Sequence, residues 1–191
     1  VPYGTAVIKL FSTIPLLSVS GSSSIRKSLE AKKMTNRFYT YNEATNFYST
    51  NDMYSSGTPA LSASSSFKVG RGYLIRSPNN WVSSPSSAAA WTGTFTGVPN
   101  NGDISVAINR TTGDVYGYNA VGNPYPSPIS IASFLSDNSG VIGSTLWFWR
   151  KTNGVSGSAY ITYSAGTYSS GSQSVYNIQP GQGFFVRADS S

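Results

Sequence analysis

The hydrophobic positions of this chain fall in short runs with a period of two, separated by clusters of Gly, Pro, Asn and Ser. "DISVAI" is the clearest run: Ile104, Val106 and Ile108 alternate with small or polar neighbours, as on a strand with one buried face. "PNNGD" just before it is a strong turn signal. "RFYTYN", "YLIR", "GTFTG", "LWFWR", "YITYS" and "GFFVRA" are likewise short, aromatic or β-branched, and bounded by turn residues. A helical period shows only in "SIRKSLEAKKM", where Ile25 and Leu29 stand one helical turn apart among Lys and Arg, which predicts a short surface helix. The pattern predicts an all-β fold.

The runs also repeat. "GRGYLIR" (Gly70 to Arg76) matches "GQGFFVR" (Gly181 to Arg187) position for position, with both glycines and the arginine identical. Upstream, "YTYNEATN" from Tyr39 resembles "WFWRKTN" from Trp147, and Pro15 in "FSTIPL" falls opposite Pro124 in "VGNPYP" at nearly the same offset. Three anchors in one order predict two copies of a unit, about residues 5–78 and 116–189, joined by a connecting segment, 79–115. Two copies are too few for a solenoid, and aromatic strands need a facing layer. The expectation is therefore a single domain, 1–191, built as an antiparallel, jelly-roll-like two-sheet β-sandwich from two related halves.

Composition narrows the chemistry. Charged residues make up 10% of the 191, far below the roughly 25% usual in globular domains. With 14% aromatic residues there is bulk enough for a core. Cysteine and histidine are both absent, which removes thiolate metal sites, disulfides and the Ser-His-Asp and Cys-His catalytic schemes. Seven acidic residues remain, and nothing in their spacing pairs two of them as a glycosidase needs. The expectation is a protein without enzymatic activity, cofactor or metal. The net charge is +6, and five of the thirteen basic residues, Arg26, Lys27, Lys32, Lys33 and Arg37, lie in one stretch, a pattern better suited to a solvated connector than to a nucleic-acid site. "AVIKLFSTIPLLSV" is too short and broken to span a membrane. The chain opens at Val1, as it would after removal of a leader or in a fragment.

The local motifs read as structure first. Each GxG lacks a third glycine and leads into a strand, so neither is a dinucleotide loop. Arg76 and Arg187 end equivalent strands, where capping of carbonyls or pairing with an acid is expected. Pro124, Pro126 and Pro128 force an extended corner on which Tyr125 has a rigid mount. That ring either packs beneath its own loop or stacks on a ligand. In "LWFWR", Trp147 and Trp149 share one face and Leu146 and Phe148 the other, and one of these faces must be core. Tyr125 and Trp149 are thus the candidate ligand-stacking aromatics. "NRT" at Asn109 is a formal glycosylation sequon in an expected loop.

"YGYNAVGNPYPSPISI", "LWFWRKTNG", "AYITYS" and "IQPGQGFFVRA", in this order, resemble a β-rich module of large secreted and cell-surface Bacteroidota proteins, which often carry a sorting tail for type IX secretion. "YTYNE" and "GRGY" extend the resemblance to about residues 35–188. It implies a secreted or cell-surface, extracellular location and brings no catalytic residues with it. In such modules another strand normally follows the "GQGFFV" segment, and "WTGTFTG" follows "GRGYLIR" here, whereas four residues follow Arg187. The repeat therefore implies a second half one strand short. A break in the chain at this point, filling of the gap by the chain's own "AVIKLFSTI", or insertion of that segment into a neighbouring molecule would each account for it.

These readings converge on a structural or adhesive β-sandwich, a pilus-like surface-filament subunit assembling by donor-strand exchange. Val7, Ile8, Leu10, Phe11 and Ile14 form the expected inserting strand, and Phe184, Phe185 and Val186 line the expected acceptor groove. Its partners would be copies of itself or neighbouring domains of a surface protein. The alternative is a carbohydrate-binding module of a larger secreted protein, with glycans as partners.

Overall fold

The alternation at 104–108 becomes a strand with one face in the core. In the computed structural model, which describes residues 4–10, 38–49, 67–75, 98–111, 117–151, 158–169 and 176–189, Ile108 is 1% exposed and Val106 9%, while Ser105, Ala107 and Asn109 face solvent. This strand, β5 (Ile104–Arg110), pairs antiparallel along its whole length with β1 (Gly4–Leu10). The first half supplies β2 (Phe38–Asn42), β3 (Phe47–Ser49) and β4 (Tyr73–Ile75), in the antiparallel order β3-β2-β4.

The second half is larger. It contains β6 (Tyr118–Gly122), β7 (Ile129–Ser130), helix α1 (Ile131–Asp137), β8 (Leu146–Lys151), β9 (Ser158–Ser164), β10 (Thr167–Tyr168), β11 (Asn177–Ile178) and β12 (Gly183–Arg187). Five of these strands form an antiparallel sheet in the order β10-β9-β8-β12-β6, and β7 pairs with β11. All the strand segments expected from the period-two pattern are observed except "GTFTG", which lies outside the described residues, as do the expected helix around 24–34, Arg76, Phe11 and Ile14. The described chain is thus all-β, in antiparallel sheets with one short helix.

One face of the five-stranded sheet carries Val121, Leu146, Phe148, Tyr163, Phe184 and Val186, all buried. Against it pack Ile108, Ile129, Ile131, Phe134, Ile142 and Ile178. Phe184 is central: Phe134 meets its ring edge-on at 5.4 Å and Phe148 lies stacked at 5.8 Å. Helix α1 follows directly from β7. Ser130 caps it by accepting from the Ser133 N–H at 3.4 Å, and Ile131 and Phe134, one turn apart, point into the core. At its other end the Asn138 side chain donates to the Phe134 carbonyl at 2.8 Å.

The three-stranded and five-stranded sheets are linked at the GxG segments. Arg71 bridges to Val121 in antiparallel sense, the Gly72 N–H donates to the Ala120 carbonyl at 3.0 Å, and the Gly122 N–H donates to the Gly70 carbonyl at 3.0 Å. On the other edge of β6, Gly183 to Arg187 pair with Gly122 to Tyr118. Strand β6 therefore runs between the two copies of GxG. A Cβ on Gly72 would come within 2.7 Å of the Val121 carbonyl oxygen, so this close approach requires glycine. The order β3-β2-β4 on one side and β9-β8-β12 on the other has the same content: an aromatic strand between its hairpin partner and the strand that GxG introduces.

Candidate functional site

The proline corner is a clamp. It follows β6, and Asn123 at its start is 3% exposed. The Asn123 side chain donates to the carbonyls of Ser127 (2.8 Å) and Ile178 (3.1 Å) and accepts from the Tyr125 N–H (2.9 Å). Its N–H donates to the Gln182 carbonyl at 3.0 Å, and its carbonyl accepts from Gly181 at 3.1 Å. One asparagine thus ties "GNPYPS" to "IQPGQG", which accounts for both segments occurring together. Sequence reading attended to the prolines and overlooked this residue. The signal was present, because Asn two positions before a turn residue commonly bonds the backbone two residues on.

Tyr125 is 2% exposed and belongs to the core. Its hydroxyl donates to the Gly102 carbonyl at 2.6 Å. Asn100 donates to the Pro124 carbonyl at 2.8 Å. The ring has no free face, so Tyr125 is corrected from a candidate ligand-stacking residue to a packing residue. What the corner does is hold the segment that leads into β5.

The far end of β5 is held as well. Asn119 on β6 accepts from the Asn109 N–H at 2.9 Å and donates to the Asn109 carbonyl at 2.8 Å, acting as a short substitute for a neighbouring strand. Arg110 donates to the Ala188 carbonyl. Glu43, 7% exposed in the turn after β2, accepts from the Thr111 N–H (2.8 Å), the Thr111 hydroxyl (2.7 Å) and the Gly117 N–H (2.7 Å). A buried carboxylate is costly unless its oxygens accept such bonds. Glu43 thereby ties the first half to the junction between β5 and β6.

The expected inserting strand takes a definite place. Val7, Ile8 and Leu10 stand in β1, opposite Ala107, Val106 and Ile104 of the same chain. Among the described residues β1 is paired with β5 alone, in a two-stranded sheet, and it passes beside α1. The expected acceptor residues are elsewhere. Phe184, Phe185 and Val186 are 2%, 7% and 0% exposed on β12, which has β6 on one side and β8 on the other. Both edges of that strand are occupied from within the chain, because its backbone groups complete the five-stranded sheet.

The opposite face of the five-stranded sheet is aromatic. Phe185 lies edge-on to Tyr41 (4.8 Å), Tyr48 (6.1 Å) and Tyr160 (5.6 Å), so side chains of both halves meet around it. Tyr41 also donates to the Asn46 side chain. Burial above all, then the nearby Tyr160 and Glu43, push the Tyr41 hydroxyl from 10.0 up to about 12. Tyr48 is raised too, by burial first and then by its hydrogen bond with Tyr160. Trp147 packs against Tyr118 at 5.1 Å, with the Arg187 guanidinium 5.9 Å above the Tyr118 ring. At the rim, Trp149 and Tyr160 lie 4.9 Å apart and are 48% and 42% exposed. Leu146 and Phe148 take the core side of β8, leaving Trp149 to solvent.

The described molecule is an all-β protein whose buried polar side chains Glu43, Asn123 and Asn138 bond the backbone, and none of its described helices is long and apolar enough to cross a membrane. The chain belongs to the family described as Domain of unknown function (DUF8693), which matches residues 18–191. No curated protein and no solved structure matches the chain. The matched span includes β5 and leaves out β1.

Proposed function

We propose that this chain is a non-enzymatic, extracellular structural or adhesive protein, a two-sheet β-sandwich built from two related halves, which assembles with copies of itself by exchanging its N-terminal strand. The observation that carries this reading is the attachment of β1: a full-length register with β5, no other strand partner among the described residues, and a position outside the matched family span. Residues 11–37 connect β1 to β2. A chain of that many residues has a maximum span of roughly 90 Å, at about 3.4 Å per residue, which is enough to pass to a neighbouring molecule. A strand held along one edge by backbone bonds is replaceable by the identical strand of a second copy, because every contact is reproduced. The motif resemblance to Bacteroidota surface modules supports export to the cell surface, by type IX secretion in that reading. The absence of His and Cys supports a role without catalysis.

Negative-stain electron microscopy of the chain with and without residues 1–12 tests the proposal. Filaments from the intact chain and soluble, folded but aggregation-prone monomers from the shortened one are expected. Filaments from the shortened chain, or monomers alone from the intact one, would refute it.

The second reading is carbohydrate binding, favoured by the exposed Trp149 and Tyr160 pair, since aromatic faces bind sugar rings through apolar contact and stacking. A glycan array comparing the intact protein with Trp149→Ala checks it: saturable binding lost in the variant is the expected signature.

A further inference from the structure

We infer that the acceptor for an incoming N-terminal strand is β5, and that the strand it takes is β1 of a second copy in the register seen within the chain. The inference rests on the strand-exchange reading above and names its acceptor site. β5 has what an acceptor needs, because it stays in place when β1 leaves. Val106 and Ile108 anchor it in the core. Tyr125 and Asn100 fix the segment before it, and Asn119, Arg110 and the Glu43 to Thr111 bonds fix its far end. None of these contacts involves β1. Removal of β1 exposes one edge of a strand that is still held by its core-facing side chains and at both ends, a preformed template for a strand of the same sequence.

The register makes the site testable atom by atom. Both backbone groups of Asn109 turn to Asn119, away from β1, so Thr5 and Asn109 form a non-hydrogen-bonded pair. Counting by two, Lys9 and Ser105 form another. In such pairs the Cα atoms lie about 4.5 Å apart, close enough for a cross-strand disulfide. Ser105 is exposed, and the chain has no cysteine of its own to interfere.

The experiment mixes chains carrying Lys9→Cys with chains carrying Ser105→Cys, assembles them and applies a mild oxidant. A covalent dimer linked between positions 9 and 105, absent when either variant is oxidised alone, is expected. The double variant, oxidised as a monomer before assembly, is expected to remain monomeric and to assemble on reduction. Filaments without the 9–105 link would overturn β5 as acceptor while leaving strand exchange standing, whereas assembly of the oxidised double variant, whose β1 is tied to its own β5, would overturn strand exchange as well. Failure of the unsubstituted chain to assemble would overturn both.

Discussion

The Tyr125 hydroxyl donates to the Gly102 carbonyl at 2.6 Å, across 23 positions of sequence. This bond connects the proline corner to the entry of β5, and the rigidity of the corner is what makes it effective. Three prolines remove backbone freedom around Tyr125, so its ring enters the core with little further entropy to lose.

Tyr125→Phe should therefore separate the bond from the packing. Gly102 is exposed, so its carbonyl recovers water, and the expected loss is about 1 kcal/mol. Tyr125→Ala also empties a core position and should cost about 3–5 kcal/mol. Urea unfolding of the two variants checks the difference.

Asn123→Ala should exceed Tyr125→Phe in cost. It strips donors from the Ser127 and Ile178 carbonyls and an acceptor from the Tyr125 N–H, all in a buried setting. A loss of roughly 2–4 kcal/mol is expected in the same assay.

Glu43 allows a sharper contrast. In Glu43→Gln the remaining oxygen still accepts from the Thr111 and Gly117 N–H groups, and the new amide donates to the Thr111 hydroxyl. The variant should lose no more than about 1.5 kcal/mol, whereas Glu43→Ala should lose about twice that or more. Equal effects of both substitutions in chemical denaturation would refute the bonding scheme.

The tyrosines around Phe185 predict alkaline sensitivity. Folding raises the Tyr41 hydroxyl from 10.0 to about 12, so the folded state favours the protonated form more than the unfolded state does. The stability this contributes is full below pH 10 and is lost as pH rises from there through about 12. Tyr48 shifts in the same direction and adds to the effect. Unfolding midpoints should fall above pH 10 in the parent, and less steeply in Tyr41→Phe and Tyr48→Phe.

Gly72→Ala should be the most damaging of the single-methyl changes at the GxG segments, because its Cβ meets the Val121 backbone at 2.7 Å. Gly181→Ala has open space and suffers only from its φ of 68°, about 1–2 kcal/mol. Thermal melts of the pair should rank them in that order.

Much of this molecule was legible from residue order alone, because strand pattern and turn chemistry are local. The alternation at Ile104, Val106 and Ile108, the two faces of "LWFWR" and the GxG repeat all rest on a period of two and on glycine's freedom, and they reappear as strands, as a core side with Leu146 and Phe148, and as the two flanks of β6. Helix α1 was equally local, signalled by Ser130 ahead of Ile131 and Phe134, and the aromatic richness around it obscured it.

What only the tertiary structure decided is which distant groups meet. A side chain such as Asn119 bonds a backbone ten positions away, and Glu43 bonds one 68 away; no periodicity encodes such partners, since they depend on where loops of different halves are brought together. The same reason places Phe184, Phe185 and Val186 inside a completed sheet and gives β1 to β5. An edge is a property of the assembled sheet, so a strand's own sequence states that it will pair and leaves its neighbour to the fold.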